Sequence, residues 1–212
     1  MKTVKPGEMV FVAGRTGTGK TYLAKKYLAN VEQRVWVLDT KGTFIWKEVA
    51  EKEQRTINNL SEIAAKDTKK LIYKPVPEEM NDDFYEAFFA AAYRLGNVVV
   101  LVDECMSVCD NPHKIPFSYK AILTRGRELG VSVWTLTQRP SGIPQVTMSE
   151  STHFFIFDLN MPQDRQKLVD ITGALELANR PSLQPSGNKY SFWYYNINWE
   201  GAKLAQLVER KS

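Results

Sequence analysis

The sequence predicts an α/β fold in which a mostly parallel sheet carries helices on both faces. Two observations support this prediction. Short apolar runs bounded by turn residues alternate along the chain with longer amphipathic stretches, which is the order of successive β-α-β units. In addition, residues 98–102 read Val-Val-Val-Leu-Val, and an unbroken apolar run of this kind is typical of a central strand buried on both faces of a parallel sheet.

Strand and helix signals follow one another through the whole chain. The helix from Asn81 is the best marked, because acidic residues occupy its first turn and Gly96 follows its last. A strand at 190–196 follows the turn residues 185–188 and is expected to form an antiparallel edge. The other strands are expected at 9–13, 34–39, 71–74, 97–103, 131–137 and 153–157. The helices are expected at 20–30, 43–53, 60–66, 81–95, 116–129, 162–171 and 200–209.

The composition indicates one domain of ordinary size. The chain has 212 residues, of which 43% are hydrophobic and 25% are charged, so it can bury a full core. A net charge of +4 is mildly basic and permits a nucleic-acid partner without requiring one. There is no apolar run of about 18 residues for a membrane span, and no apolar N-terminal segment of a signal peptide. Cys105 and Cys109 are too few for a disulfide framework, so a cytoplasmic location is expected.

A phosphate-binding motif stands near the N-terminus. Residues 14–21 read Gly-Arg-Thr-Gly-Thr-Gly-Lys-Thr, the complete Walker A pattern, between an apolar strand and the helix that starts at Lys20. The glycines let the backbone wrap a phosphate chain, and the N–H groups of the loop and helix N-terminus bind the anion. We expect ATP here, with Lys20 on the β- and γ-phosphates and the Thr21 hydroxyl on Mg²⁺. The expected nucleotide-binding residues are Gly14, Arg15, Thr16, Gly17, Thr18, Gly19, Lys20 and Thr21.

A second motif follows the apolar strand at 97–103. This strand ends in Asp103-Glu104, which is the Walker B pattern. Asp103 would hold Mg²⁺ through water, and Glu104 would polarise the attacking water, which is a hydrolytic role rather than a kinase role. An acid pair at a strand end also occurs as a simple helix cap, but the Walker A motif upstream favours the catalytic interpretation.

Three further residues are candidates for contacts to the γ-phosphate. Gln138 lies at the tip of the strand after Walker B, where it would sense that phosphate; the alternative is an ordinary polar loop residue. Arg125 and Arg127 lie in the preceding helix, on opposite flanks of its apolar stripe and each roughly 100° from the centre of that stripe. Periodicity therefore leaves both open as an arginine finger, against the alternative that both are solvated charges.

Four sequence blocks together resemble the FtsK–HerA superfamily of DNA-pumping ATPases. They are the Walker A motif, residues 37–42 (Val-Leu-Asp-Thr-Lys-Gly), residues 100–104 (Val-Leu-Val-Asp-Glu) and residues 125–141. The last block is the most specific, because a Gly-Arg-x-x-Gly segment is followed by an apolar strand and then by Thr-Gln-Arg-Pro-Ser. With their strands, the blocks extend over residues 9–141.

The resemblance implies an ASCE-type, RecA-like P-loop ATPase core, with residues 1–212 as a single domain. It also implies a ring of five or six copies, with ATP between the subunits and double-stranded DNA in the pore. The short chain leaves no room for the extra domains of cellular members and is most similar to viral genome-packaging ATPases. A capsid portal or vertex protein would then dock the ring in the host cytoplasm. In the pattern of the superfamily the trans-acting finger matches Arg127, with Arg125 as the alternative.

The sequence leaves other functions, and the choice of DNA-contacting residues, open. A cellular translocase for DNA processing or segregation is the nearest alternative. A P-loop kinase of small molecules is an alternative from another class, although a kinase would not need a glutamate after the Walker B aspartate. The loop at 105–117 is the expected pore loop. Candidates for DNA contacts, against a solvated surface, are Lys41, Lys47, Lys114, Lys120 and Arg139.

Overall fold

A nine-stranded sheet forms the centre of the molecule in the computed structural model, which describes residues 3–65, 68–181 and 190–207. The strands are β1 Val10–Ala13, β2 Arg34–Leu38, β3 Gln54–Ile57, β4 Lys70–Tyr73, β5 Val98–Val102, β6 Ser132–Thr137, β7 His153–Ile156, β8 Ser191–Asn196 and β9 Lys203–Gln206. The α-helices are α1 Lys20–Ala29, α2 Asp82–Leu95, α3 Phe117–Arg125, α4 Val146–Ser149 and α5 Pro162–Thr172. Short 3₁₀ turns occupy Glu51–Glu53, Leu60–Ala65, Pro77–Glu79, Cys105–Ser107, Pro140–Gly142 and Leu175–Ala178.

The strands lie in the order β3-β4-β2-β5-β6-β1-β7-β8-β9. Every pair from β3 to β7 is parallel, whereas β8 and β9 are antiparallel to their neighbours. Helix α1 covers one face, where its Leu23 packs in the same core as Val12 of β1. Helices α2 to α5 cover the other face, where Phe88 of α2 shares a core with Phe11. The predicted fold class is therefore confirmed, including helices on both faces.

Two of the predicted helices are wrong. The stretch at 43–53 is irregular up to the 3₁₀ turn at its end, because Phe44 and Trp46 alternate into the core and their rings meet edge to face at 5.6 Å. The stretch at 200–209 instead contains strand β9, which pairs with β8. The strand predicted at 190–196 is β8, which is antiparallel as predicted, and β9 extends this antiparallel edge by one more strand.

Smaller differences concern element ends and polar segments. Strand β3 was not predicted, because Gln-Arg-Thr-Ile is too polar to read as a strand, and it pairs on one side only, at the other edge of the sheet. The helix predicted at 60–66 is a 3₁₀ turn as far as residue 65, and α3 ends at Arg125 rather than at 129. The predicted turn at 185–188, together with residues 66, 208 and 209, lies outside the described residues. Among the residues described, no helix combines the length and the apolar character that crossing a bilayer requires.

The predicted site residues lie together at the carboxyl ends of the central strands. Strands β2, β5, β6, β1 and β7 are adjacent and parallel, so their carboxyl ends lie side by side. In parallel α/β sheets, ligands bind at this edge. The Walker A loop follows β1, the Walker B acids follow β5, and Gln138 follows β6.

Candidate nucleotide site

The phosphate loop is fixed between the two strands that flank β1. The Gly14 N–H donates to the Thr137 carbonyl of β6 at 3.2 Å, and the Arg15 N–H donates to the Asp158 carbonyl after β7 at 2.8 Å. Gly19 has a φ of 108°, a backbone region that favours glycine, and it precedes α1 without a side-chain cap. The N–H groups of the first helical turn therefore point into the loop, which suits a phosphate.

Lys20 lies along this loop and is almost fully buried. Its Nζ donates to the Gly14 carbonyl at 2.6 Å and to the Arg15 carbonyl at 3.2 Å. Burial lowers the pKa of Lys20 to about 8, although Glu104 and Asp103 nearby favour the charged form. Because no carboxylate among the described residues forms an ion pair with the desolvated ammonium, a phosphate chain in the loop would stabilise its charge.

The two Walker motifs meet through a hydrogen bond. The Thr21 hydroxyl donates to Asp103 Oδ1 at 2.8 Å. Burial raises the pKa of Asp103, and the hydrogen bond from Thr21 opposes that shift. A hydroxyl and a carboxylate are oxygen donors of the kind that Mg²⁺ takes when phosphates and water supply its other ligands. Among the described residues there is no cluster of three or more His, Cys, Asp or Glu side chains that would hold a metal ion by itself.

Glu104 lies beside this pair and is also buried. Its Oε2 accepts from Gln138 Nε2 and from Lys41 Nζ, both at 3.0 Å. Gln138 Oε1 in turn accepts from the Thr16 hydroxyl at 2.8 Å. A continuous chain of hydrogen bonds therefore connects the phosphate loop to the Walker B glutamate, through the residue that the sequence predicted as a γ-phosphate sensor.

The loop opens into a cavity of about 280 Å³. Tyr22 and Tyr190 form one wall, with their rings stacked at a centroid distance of 5.7 Å. A larger cavity of about 630 Å³ lies beside α1, but its lining is mainly apolar and includes none of the phosphate-loop residues. The residues that line the smaller cavity are Thr16, Gly17, Gly19, Lys20, Thr21, Tyr22, Lys41, Asp103, Gln138 and Tyr190.

The two candidate finger arginines lie near the amino end of β6, on the side of the sheet opposite the phosphate loop. Arg125 ends α3, and Arg127 lies in the turn before β6, with its carbonyl oxygen packed against Gly7 ahead of β1. Strand β6 has six residues and so separates this turn from Gln138 by about 20 Å. Both arginines are exposed, and within the described part of the chain neither guanidinium forms a hydrogen bond or an ion pair. The fold therefore does not bring Arg125 or Arg127 to the phosphates of its own chain.

The sequence motifs did not predict the contacts of Asp158 and Lys41 at the site. Asp158, after β7, accepts from Arg15 Nε at 2.7 Å and from Arg180 Nε at 2.5 Å, and these arginines, Arg180 first, lower the pKa of Asp158. Its position after a strand that adjoins β1 is a signal that would have pointed to it. Lys41 was expected only as a DNA contact, whereas it forms an ion pair with Glu104.

The chain has a recognisable relative among proteins of known role. The DNA packaging ATPase of Enterobacteria phage PRD1 is 28% identical to it over 199 residues, which cover 90% of this chain and 82% of the relative. The chain is a homologue of a viral DNA-packaging ATPase. The predicted similarity to viral packaging ATPases is thereby confirmed. No family model matches the chain.

Solved structures of similar fold support the predicted architecture of this chain. The genome packaging NTPase of Sulfolobus turreted icosahedral virus 2 in complex with sulfate has a TM-score of 0.78 and 19% identity, covering 98% of this chain and 100% of that chain. Its complex with ATP-gammaS has a TM-score of 0.77 and 20% identity, covering 97% of this chain and 100% of that chain. The pCW3 conjugation coupling protein TcpA has a TM-score of 0.57 and 14% identity, covering 94% of this chain and 60% of that chain. At these identities the structures show the P-loop NTPase fold, as predicted.

The pKa of Lys20 leads to a prediction for nucleotide binding. Below pH 8 the ammonium is charged and attracts the phosphates, whereas above its pKa of about 8 the free protein must first take up a proton. The Kd for ATP should therefore rise with pH above this value, approaching tenfold per unit. Calorimetric titrations between about pH 7 and 9 measure this dependence. Lys20→Arg, whose guanidinium stays charged, should bind with a Kd that does not vary with pH. An equal pH dependence in both proteins would contradict the assignment.

Proposed function

We propose that this chain is an ATP-hydrolysing motor that translocates double-stranded DNA into a viral capsid. The observation that carries the proposal is the assembly of Walker A and Walker B side chains at one sheet edge in a homologue of a packaging ATPase. The Thr21 hydroxyl donates a hydrogen bond to Asp103, and Glu104, which lies beside them, accepts one from Gln138. These are groups that hydrolysis of a nucleoside triphosphate requires.

Each side chain has a distinct part in the proposed reaction. The loop at 14–19 and Lys20 bind the phosphates of ATP. Thr21 and Asp103 would hold Mg²⁺, which when bound neutralises charge on the β- and γ-phosphates. Glu104 takes a proton from the attacking water, and Gln138 links this carboxylate to the phosphate loop. A glutamate placed in this way favours hydrolysis over the small-molecule kinase alternative.

We further propose that the chain acts as one domain in a ring of five or six copies. The support is that neither candidate finger reaches the phosphates of its own chain, while Arg127 is exposed at the opposite edge, where a neighbouring copy can contact it. Arg125 is the alternative finger. The ring would hold duplex DNA in its pore, dock on a capsid portal or vertex protein, and work in the host cytoplasm.

Replacement of Glu104 separates binding from turnover. Glu104→Gln keeps the shape of the side chain and loses the charge that activates water, so the variant should bind ATP and DNA yet hydrolyse ATP at least about a hundredfold more slowly. Phosphate release and filter binding measure the two properties. Glu78→Gln, at an exposed glutamate that does not line the nucleotide cavity, is the matched control and should keep wild-type turnover. Normal hydrolysis by Glu104→Gln would show that the Walker B assignment is wrong.

The finger is tested by mixing subunits. Arg127→Ala should fold, bind ATP and lose most turnover, because a trans-acting arginine contributes a factor of about 10³–10⁵ in rate. Arg94→Ala, at another exposed arginine, should retain activity.

Subunits with Lys20→Ala cannot bind ATP but still carry Arg127. Added to Arg127→Ala subunits, they should restore part of the turnover by completing the sites of their neighbours. If mixed rings form and turnover is not restored, Arg127 does not act in trans, and the same series is then run on Arg125.

A further inference from the structure

We propose that Lys41 is a positioning residue for the catalytic base. It holds one carboxylate oxygen of Glu104, so that the other oxygen is left to accept the proton of the attacking water. This inference rests on the proposed function, because it assigns a task within ATP hydrolysis. The sequence pattern gave Lys41 no such task.

The two carboxylate oxygens of Glu104 have different contacts, which suit them to different roles. Oε2 accepts two hydrogen bonds of 3.0 Å, one from Lys41 Nζ and one from Gln138 Nε2. Oε1 is buried and has no hydrogen-bond partner among the described residues. A carboxylate held by two donors on one oxygen cannot rotate without breaking both bonds. Oε1 therefore keeps a fixed direction and free lone pairs, which is what a general base needs.

The loop that carries Lys41 is anchored on both sides of it. The fully buried Asp39 accepts at Oδ2 from the Phe44 N–H at 2.7 Å, and its carbonyl accepts from the Gly42 N–H at 3.2 Å. Lys74 Nζ donates to the Gly42 carbonyl at 3.1 Å. The loop follows β2, which pairs with β5 in parallel, so Lys41 lies beside Glu104 because of strand order and not because of sequence distance.

The proposed step is hydrolysis of the γ-phosphate of ATP. A water oxygen forms a bond to the γ-phosphorus of ATP, the bond from that phosphorus to the β,γ-bridging oxygen breaks, and ADP leaves with the electron pair. Glu104 Oε1 accepts the proton that the water loses and returns it to the released phosphate. Lys41 takes part in no bond that forms or breaks. It acts only through the orientation of Glu104.

A different role for Lys41 is also compatible with its place and must be separated by experiment. Its side chain lines the nucleotide cavity, and its charge is close enough to disfavour the charged form of Lys20. Direct contact with the γ-phosphate would lower nucleotide affinity when the lysine is removed. Positioning of Glu104 would lower turnover and leave affinity unchanged.

The test compares three variants without DNA. Lys41→Met should reduce kcat by about tenfold to a hundredfold, the loss expected for one hydrogen bond to a charged group, with the Kd for ATP within about twofold of wild type. Lys41→Arg keeps a cationic donor and should recover part of the loss. Lys52→Met removes an exposed lysine that does not line the nucleotide cavity and should leave both values unchanged. Circular dichroism of each variant confirms its fold.

The decisive comparison repeats the substitution without the base. In a Glu104→Gln background, Lys41→Met should not reduce the residual turnover further, because the carboxylate through which it acts is gone. An equal reduction in both backgrounds, an unchanged kcat in Lys41→Met, or a Kd that weakens in step with kcat would each overturn the inference. These outcomes would leave the proposed function intact, whereas a wild-type protein without any ATP turnover would overturn both.

Discussion

The parallel alignment of β2, β5, β6, β1 and β7 is the constraint on which the site depends. A parallel sheet brings the carboxyl ends of its strands to one edge, although the residues there are far apart in sequence. Thr21 and Asp103 are separated by 82 positions in the sequence, yet the Thr21 hydroxyl lies 2.8 Å from Asp103 Oδ1. The buried core on both faces serves this alignment, because each strand is held in register by apolar side chains that alternate between the two helical layers.

The site concentrates charge that the fold has removed from water. Lys20, Asp103 and Glu104 are all buried, and burial shifts the pKa of Lys20 down and that of Asp103 up. Such groups are costly unless they are paired. Lys20 bonds only to backbone carbonyls, and Glu104 Oε1 has no hydrogen-bond partner among the described residues, which indicates a site whose electrostatics are completed by an anionic ligand and its counterion. The same desolvation strengthens the attraction of Lys20 for phosphate.

The site residues that belong to short sequence motifs could be predicted from the sequence. The phosphate loop, Asp103, Glu104 and Gln138 were predicted because each follows an apolar strand, and the structure brings them together. The contact from Lys41 to Glu104 was not predictable, because it depends on which strand lies next to β5. The helices predicted at 43–53 and 200–209 were wrong because tertiary packing of Phe44 and Trp46, and pairing of β9 with β8, overrode local preference.

The proposed activity of this site is ATP hydrolysis that drives the movement of duplex DNA. Its most direct test is phosphate release by the wild-type protein with and without duplexes of unrelated sequence, at increasing salt. Every duplex should accelerate ATP turnover, and the acceleration should fall steeply with salt because the contacts are to phosphates. Turnover that ignores duplex DNA at low salt, or transfer of the γ-phosphoryl group to a small molecule instead of water, would contradict it.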